Sequence, residues 1–141
     1  MYTFFLHLHS GLRWLVLLLA VAVVIKSLAG LFSNGKYGKL DNILSVSYVG
    51  LMHMQLLIGL VLYFFLSPYT STFRFNMSDP ESRFWSVEHI ALMLFAIIAA
   101  QVGRSISKKS GDDIVKFRFQ SIFFGISLVL MLVGIPWSRL G

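Results

Sequence analysis

The sequence predicts an all-α fold, an integral membrane antiparallel four-helix bundle that forms one domain over residues 1–141. The 141 residues are 57% hydrophobic and only 13% charged, which is too apolar a balance for a soluble domain of this size. The apolar stretches are long and continuous, whereas membrane β-barrels show alternating segments of about ten residues. Both observations favour membrane-spanning helices.

Turns and helix-breaking residues divide the chain into four predicted helices. Asp41 or Asn42 is expected to cap the second helix, and Asp79 followed by Pro80 is typical of a helix start. Because the connections between helices 1 and 2 and between helices 3 and 4 are short, neighbouring helices should run antiparallel. The predicted helices cover residues 2–32, 40–66, 79–105 and 113–136.

The positive charges predict the orientation of the bundle. The formal net charge is +6, and eight Lys and Arg residues flank the first and third connections, against four elsewhere. The positive-inside rule then puts both termini on the outer side of the membrane. Since membrane topology accounts for this charge, it gives no indication of nucleic-acid binding. The chain has no cysteine, which excludes disulfides, iron–sulfur clusters and thiolate ligands.

Four histidines lie in apolar surroundings: His7, His9, His53 and His89. An imidazole is costly to hold in hydrocarbon, so such residues are expected to face protein, water, a metal or a cofactor. Counted from the outer end at the helical rise, the expected depths are ~10 Å for His9, ~15 Å for His89 and ~22 Å for His53.

Histidines at similar depth on facing helices suit a b-type haem, whose iron would take one imidazole on each side. His53 with His89 is the first predicted pair, and His9 with His89 is the second, with the closer match in depth. His7 faces about 200° away from His9 on a helix. One metal centre is therefore not expected to take both His7 and His9.

Other side chains near these histidines leave several interpretations open. Arg13 lies one turn after His9, where it can pair with a haem propionate, pair with Glu88 or reach the outer surface. A site of three histidines could instead bind copper or zinc. A quinone could accept hydrogen bonds from His89, Glu88 or Gln55.

Four segments of the chain carry a resemblance to known proteins: His7-Leu-His9-Ser-Gly-Leu-Arg-Trp14, His53-Met-Gln-Leu-Leu-Ile-Gly-Leu-Val-Leu-Tyr63, Val87-Glu-His89 and Ile135-Pro-Trp137. Together they resemble a group of small bacterial four-helix membrane proteins of the Bacteroidetes, labelled cytochrome b. The resemblance extends over nearly the whole chain. The second segment is also similar to the half-bundles of haem A synthase, which hold haem through histidines. This likeness implies haem binding at His53 and His89, and it does not imply haem modification, because the chain has only one half-bundle.

The sequence is therefore interpreted as a multi-pass protein of a bacterial inner membrane, with both termini on the periplasmic side. It is expected to bind haem b through His53, His89 or His9, with Arg13 nearby, and to pass electrons between quinol or another donor and a respiratory partner. This is the role of an electron carrier rather than a stand-alone enzyme. The alternatives are a cofactor-free accessory subunit of a larger membrane complex and a module that binds a quinone or a metal.

Overall fold

The computed structural model of the chain describes residues 2–66 and 88–135. These residues form four long helices, which confirms the predicted four-helix bundle. A π-helical turn, Leu62–Leu66, continues the second helix. The helices are α1 (Tyr2–Ser33), α2 (Lys39–Val61), α3 (His89–Lys109) and α4 (Asp113–Gly134).

All four helices are long and apolar enough to cross a membrane. The shortest, α3, has 21 residues, or about 32 Å of helical rise, against a hydrocarbon core of about 30 Å. The large side chains exposed on the outside of the bundle are mostly Leu, Ile, Val and Phe. The chain is thus a multi-pass membrane protein whose outer surface contacts lipid.

The helix starts differ in detail from the expected capping. Helix α2 begins at Lys39, and Asp41 lies inside its first turn, where its carboxylate accepts a hydrogen bond of 2.8 Å from the backbone N–H of Gly38. Asp41 therefore supports the helix start from within the first turn and is not the N-cap residue. Helix α4 has a side-chain cap, because Asp112 accepts from the N–H of Ile114. The expected start of the third helix at Asp79 lies outside the described residues.

The four helices form a closed ring in chain order, each packed against the next, with α4 returning to α1. Contacts at both ends show that neighbours are antiparallel. Lys26 near the end of α1 pairs with Asp41 at the start of α2 at 2.7 Å, and the side chain of Gln55 late in α2 bonds the backbone of His9 early in α1. The end with the 34–38 and 110–112 connections is called the basic end, and the end with His9 and His89 the histidine end.

Small residues allow close helix contacts at some positions of the bundle and not at others. A Cβ added to Gly103 would lie 2.6 Å from Cβ of Phe123. Ala96 and Ala100 on the same helix are fully buried. Gly50 and Gly125, by contrast, have no atom within 4 Å of such a Cβ. Small residues therefore mark the inner face of α3, while Gly50 and Gly125 have no close neighbour that requires glycine.

Polar side chains connect the helices inside the bundle. Gln120 of α4, only 1% exposed, accepts a hydrogen bond from Ser27 of α1 and donates to Ser107 of α3 and to the hydroxyl of Tyr37. In the middle of the bundle, the hydroxyl of Tyr48 lies 2.6 Å from Oγ of Ser127. Because Ser127 donates in turn to the carbonyl of Ala96, Tyr48 is the donor to Ser127. In lipid, such bonds and close packing hold helices together, because the surrounding tails are as apolar as the helices.

Candidate functional site

His9 and His89 meet at the histidine end of the bundle. Their ring centres are 6.3 Å apart and their ring planes are inclined at 77°. His9 comes from the second turn of α1 and His89 begins α3, so the two rings approach from different helices. The structure thus brings together the second histidine pair named from the sequence.

The ring of His89 is oriented by the end of α4. Its Nδ1 lies 2.8 Å from the backbone carbonyl oxygen of Gly134. A carbonyl only accepts, so Nδ1 carries the proton and donates. The last carbonyls of a helix have no partner within the helix, and His89 satisfies one of them. The same bond fixes the tautomer and leaves the lone pair of the imidazole on Nε2.

Helix α2 holds His9 through two residues one turn apart. Nε2 of Gln55 donates to the backbone carbonyl of His9 at 2.7 Å. A Cβ added to Gly59 would lie 3.3 Å from Cε1 of the His9 ring, so the absence of a side chain at Gly59 leaves room for that ring. The π-helical turn at 62–66 follows directly, and such wide turns are frequent at functional sites.

Arg13 adds a positive charge to this pair. It lies one turn after His9 on α1 and interacts electrostatically with both imidazoles. Its guanidinium carbon is 4.7 Å from the centre of the Trp14 ring. The cation therefore lies between the histidine pair and an aromatic side chain that is 49% exposed on the outer surface.

Several polar atoms of this cluster have no hydrogen-bond partner among the described residues. Within the described residues, five side-chain nitrogen or oxygen atoms are buried without a hydrogen bond. Three of the five belong here: Nδ1 of His9, Nε of Arg13 and Oε1 of Gln55. A buried polar atom without a partner is costly and calls for an explanation such as a water, an ion or a ligand. The concentration of three in one place marks this cluster as the candidate binding site.

His53 and His7 lie elsewhere. His53 is exposed on the outer surface of α2, where its Nε2 is 2.9 Å from Oε1 of Gln101 on α3. Gln101 is twelve residues beyond His89, or roughly 18 Å along the helix, so the structure does not bring His53 to His89. His53 was expected to face protein, water, a metal or a cofactor, and the hydrogen bond to Gln101 gives its imidazole a protein partner. His7 is exposed as well.

The described residues, which include all four histidines, contain no group of three or more His, Asp or Glu side chains that could hold a metal ion. They therefore give no support to the copper or zinc site of three histidines. A haem iron needs only two protein ligands, since the macrocycle supplies the others.

Gln55 was named from the sequence only as a partner for a quinone, and its position with Gly59 beside His9 was not predicted, although a signal was present. Residues four apart share a helix face, whereas residues two apart face about 200° away from each other. Gln55 and Gly59 thus share one face of α2, and His53 lies on another. The same spacing argument that separates His7 from His9 also separates His53 from Gln55.

No protein-family model, no curated protein and no solved structure matches this chain. The likeness to small bacterial membrane cytochromes accordingly stays a prediction from the sequence.

Proposed function

We propose that this protein binds one b-type haem at the histidine end, with His9 and His89 as axial ligands, and carries electrons within the membrane. The observation that carries the proposal is the meeting of two imidazoles from different helices at 6.3 Å. His9 replaces His53 as the partner of His89 in this assignment, because His53 bonds Gln101 at a different level.

The spacing of the two rings supports the assignment. Bonds from a metal ion to imidazole nitrogen are about 2 Å long, so imidazoles on opposite sides of one ion have ring centres roughly 6 Å apart. Each ring can turn about its own metal–nitrogen bond, so the 77° between the planes is compatible with axial ligation. An edge-to-face aromatic contact has a similar spacing, and the experiment below separates the two interpretations.

The hydrogen bond from His89 to Gly134 also supports metal ligation. Histidines that bind metals commonly donate their second ring N–H to a carbonyl or carboxylate, which sets the tautomer and the direction of the ring. Nδ1 of His89 does so at 2.8 Å, and Nε2 is then the nitrogen able to coordinate.

The residues around the pair fit the chemistry of a haem. Its propionates are anionic, and Nε of Arg13 is a buried donor without a partner among the described residues. A planar guanidinium binds carboxylates well. When bound, haem supplies one-electron transfer. The protein's part would be to hold both imidazoles at fixed spacing, with Gln55 and Gly59 positioning the backbone and the ring of His9.

The proposal extends to the exchange partners of the protein and to its orientation in the membrane. A quinol, or another membrane donor, and a larger respiratory complex would be the exchange partners. The excess of basic residues at the basic end supports an orientation with both termini on the periplasmic side of a bacterial inner membrane. Within this proposal the chain is an electron carrier that serves a partner rather than an enzyme acting alone.

The test is an optical spectrum of the detergent-purified protein from haem-sufficient cells, oxidised and then reduced with dithionite. The wild type should show a sharp reduced α band and a shifted Soret band, typical of low-spin b haem. His9→Ala and His89→Ala should each lose most of the bound haem. The matched controls His53→Ala and His7→Ala should keep it, with helical content checked for all four by circular dichroism.

Three results decide against the proposal or part of it. A colourless wild-type protein would favour a cofactor-free accessory subunit, in which the histidine pair is a packing contact. Quinone extracted from that colourless protein in stoichiometric amount would favour a quinone module that uses Gln55 and Arg13. Loss of haem in His53→Ala with retention in His9→Ala would restore the first pair named from the sequence.

A further inference from the structure

A groove opens at the basic end, on the opposite side of the molecule from the histidine pair. It has a volume of about 560 Å³, within the roughly 300–1,000 Å³ of small-molecule sites. The start of α2, the end of α3 and the start of α4 form its walls. Its lining includes Tyr37, Lys39, Asn42, Arg104, Lys108 and Lys116.

The groove is strongly cationic. Four of its lining side chains are Lys or Arg, and none of the described residues that line it is Asp or Glu. Lys26 and Asp41 form the one ion pair among the described residues. Lys39, Arg104 and Lys108 therefore have no carboxylate partner in that part of the chain. Like charges brought together repel each other, and an anion in the groove would relieve that repulsion.

One of the four cations is held in place. Nζ of Lys116 donates to the carbonyl of Ser107 at 3.1 Å and lies 5.4 Å from the centre of the Tyr37 ring. Both contacts keep the ammonium at the groove wall rather than extended into solvent. The groove thus has a fixed charge on one side and unpaired cations around it.

The position of the groove selects the kind of anion. The membrane-spanning segments end at Ser33 and Lys109 and begin at Lys39 and Asp113, so the groove lies where the apolar spans stop. Phospholipid phosphates occupy this level of a bilayer. Leu40 and Ile43 each follow a lining residue in the sequence and are 57% and 47% exposed, so they provide apolar surface for an acyl chain near the groove.

We propose that this groove binds the phosphate head group of an anionic phospholipid, held by Lys39, Arg104, Lys108 and Lys116. Basic pockets between membrane helices are suited to such head groups, because each cation near the membrane surface adds attraction to acidic lipid. The proposal concerns the basic end alone and does not depend on haem binding at the other end.

The experiment is native mass spectrometry of the full chain in a neutral detergent, titrated with phosphatidylglycerol, with phosphatidylcholine and with inorganic phosphate. Phosphatidylglycerol should bind at least about tenfold more tightly than phosphatidylcholine. The double variant Arg104→Gln with Lys108→Gln should weaken phosphatidylglycerol binding at least about tenfold, since each cation near the surface contributes about fivefold.

The chain offers a charge-matched control. Arg118→Gln with Lys109→Gln removes one Arg and one Lys that are exposed at the same end but do not line the groove. This control should lose less than about threefold in affinity. The single variant Lys39→Gln, at the exposed first residue of α2, provides a milder test if the double variant fails to fold.

Each contrary result overturns the proposal. Equal weakening by both double variants would show a general surface attraction without a site. Equal affinity for the two lipids would exclude selection for an anionic head group. Competition by inorganic phosphate at concentrations similar to those of the lipid would identify the groove as a site for a free anion.

Discussion

Gln120→Met tests how much the buried hydrogen bonds between helices contribute to the stability of the bundle. Methionine has nearly the volume and flexibility of glutamine, so the substitution removes hydrogen bonds without leaving a large cavity. The lost bonds are those with Ser27, Ser107 and Tyr37. The single O–H of Ser27 is shared between Oε1 of Gln120 and the carbonyl of Val23, which lies 2.7 Å away, so the hydroxyl keeps one partner in the variant.

The expected loss of stability follows from these contacts. Hydrogen bonds between membrane helices contribute about 0.6 kcal/mol each on average, so three amount to about 2 kcal/mol. The hydroxyl of Ser107 is fully buried, and losing its bond from Gln120 adds about 1 kcal/mol. Gln120→Met should therefore lower the free energy of unfolding by about 3 kcal/mol.

The measurement is unfolding in mixed micelles by added sodium dodecyl sulfate, followed by circular dichroism. Leu130→Met on the same helix, a half-buried residue packed against the core, controls for the introduction of methionine. A double-mutant cycle with Ser27→Ala should give a coupling energy of about 0.6 kcal/mol. A loss below about 1 kcal/mol for Gln120→Met, or no coupling to Ser27, would refute the reasoning.

Two further predictions use matched pairs of small residues in the same unfolding assay. Ser127→Ala should lower the free energy of unfolding by about 1–3 kcal/mol, because it leaves the buried hydroxyl of Tyr48 without its acceptor. Ser45→Ala removes a buried hydroxyl with no partner in the described structure and should be neutral or stabilising. Equal losses in the two variants would contradict this. Gly103→Ala should lower the free energy of unfolding by about 1–3 kcal/mol, because the new Cβ meets Phe123 at 2.6 Å. Gly50→Ala has open space for its Cβ and should gain about 0.5–1 kcal/mol from helix propensity. A Gly103→Ala variant as stable as the wild type would show that α3 and α4 pack less closely than described.

The sequence predicted the number of helices well, because hydropathy and turn residues report directly on membrane spans. Helix α2 was expected from residue 40 and begins at Lys39, and α4 begins at Asp113 as expected. The predicted end of α3 was less accurate, since the helix continues to Lys109 instead of stopping near Ser105. Helix ends are set by capping contacts that hydropathy does not report.

The rotation of each helix about its own axis was harder to predict. In a soluble helix polar residues mark the outer face, but lipid is as apolar as the bundle core, so that contrast is missing. His53 was the first predicted partner of His89, yet it is exposed and bonds Gln101 at the surface. The buried serines Ser27, Ser107 and Ser127 carried a better signal, because small polar residues mark interfaces between membrane helices.

The contacts of α4 have a consequence for how the protein is made. Gln120 connects α4 to α1 and α3, Ser127 connects it to α2 through Tyr48, and the carbonyl of Gly134 receives the ring N–H of His89. Helices leave the ribosome in chain order, so α1, α2 and α3 enter the membrane before any of these partners exists. A chain interrupted before α4 would leave several intramembrane polar groups without their partners on α4, among them the hydroxyl of Tyr48 and the Nδ1–H of His89. Losing hydrogen-bond partners in lipid is costly, so the incomplete bundle is the less stable one, and the last helix completes assembly by supplying these partners.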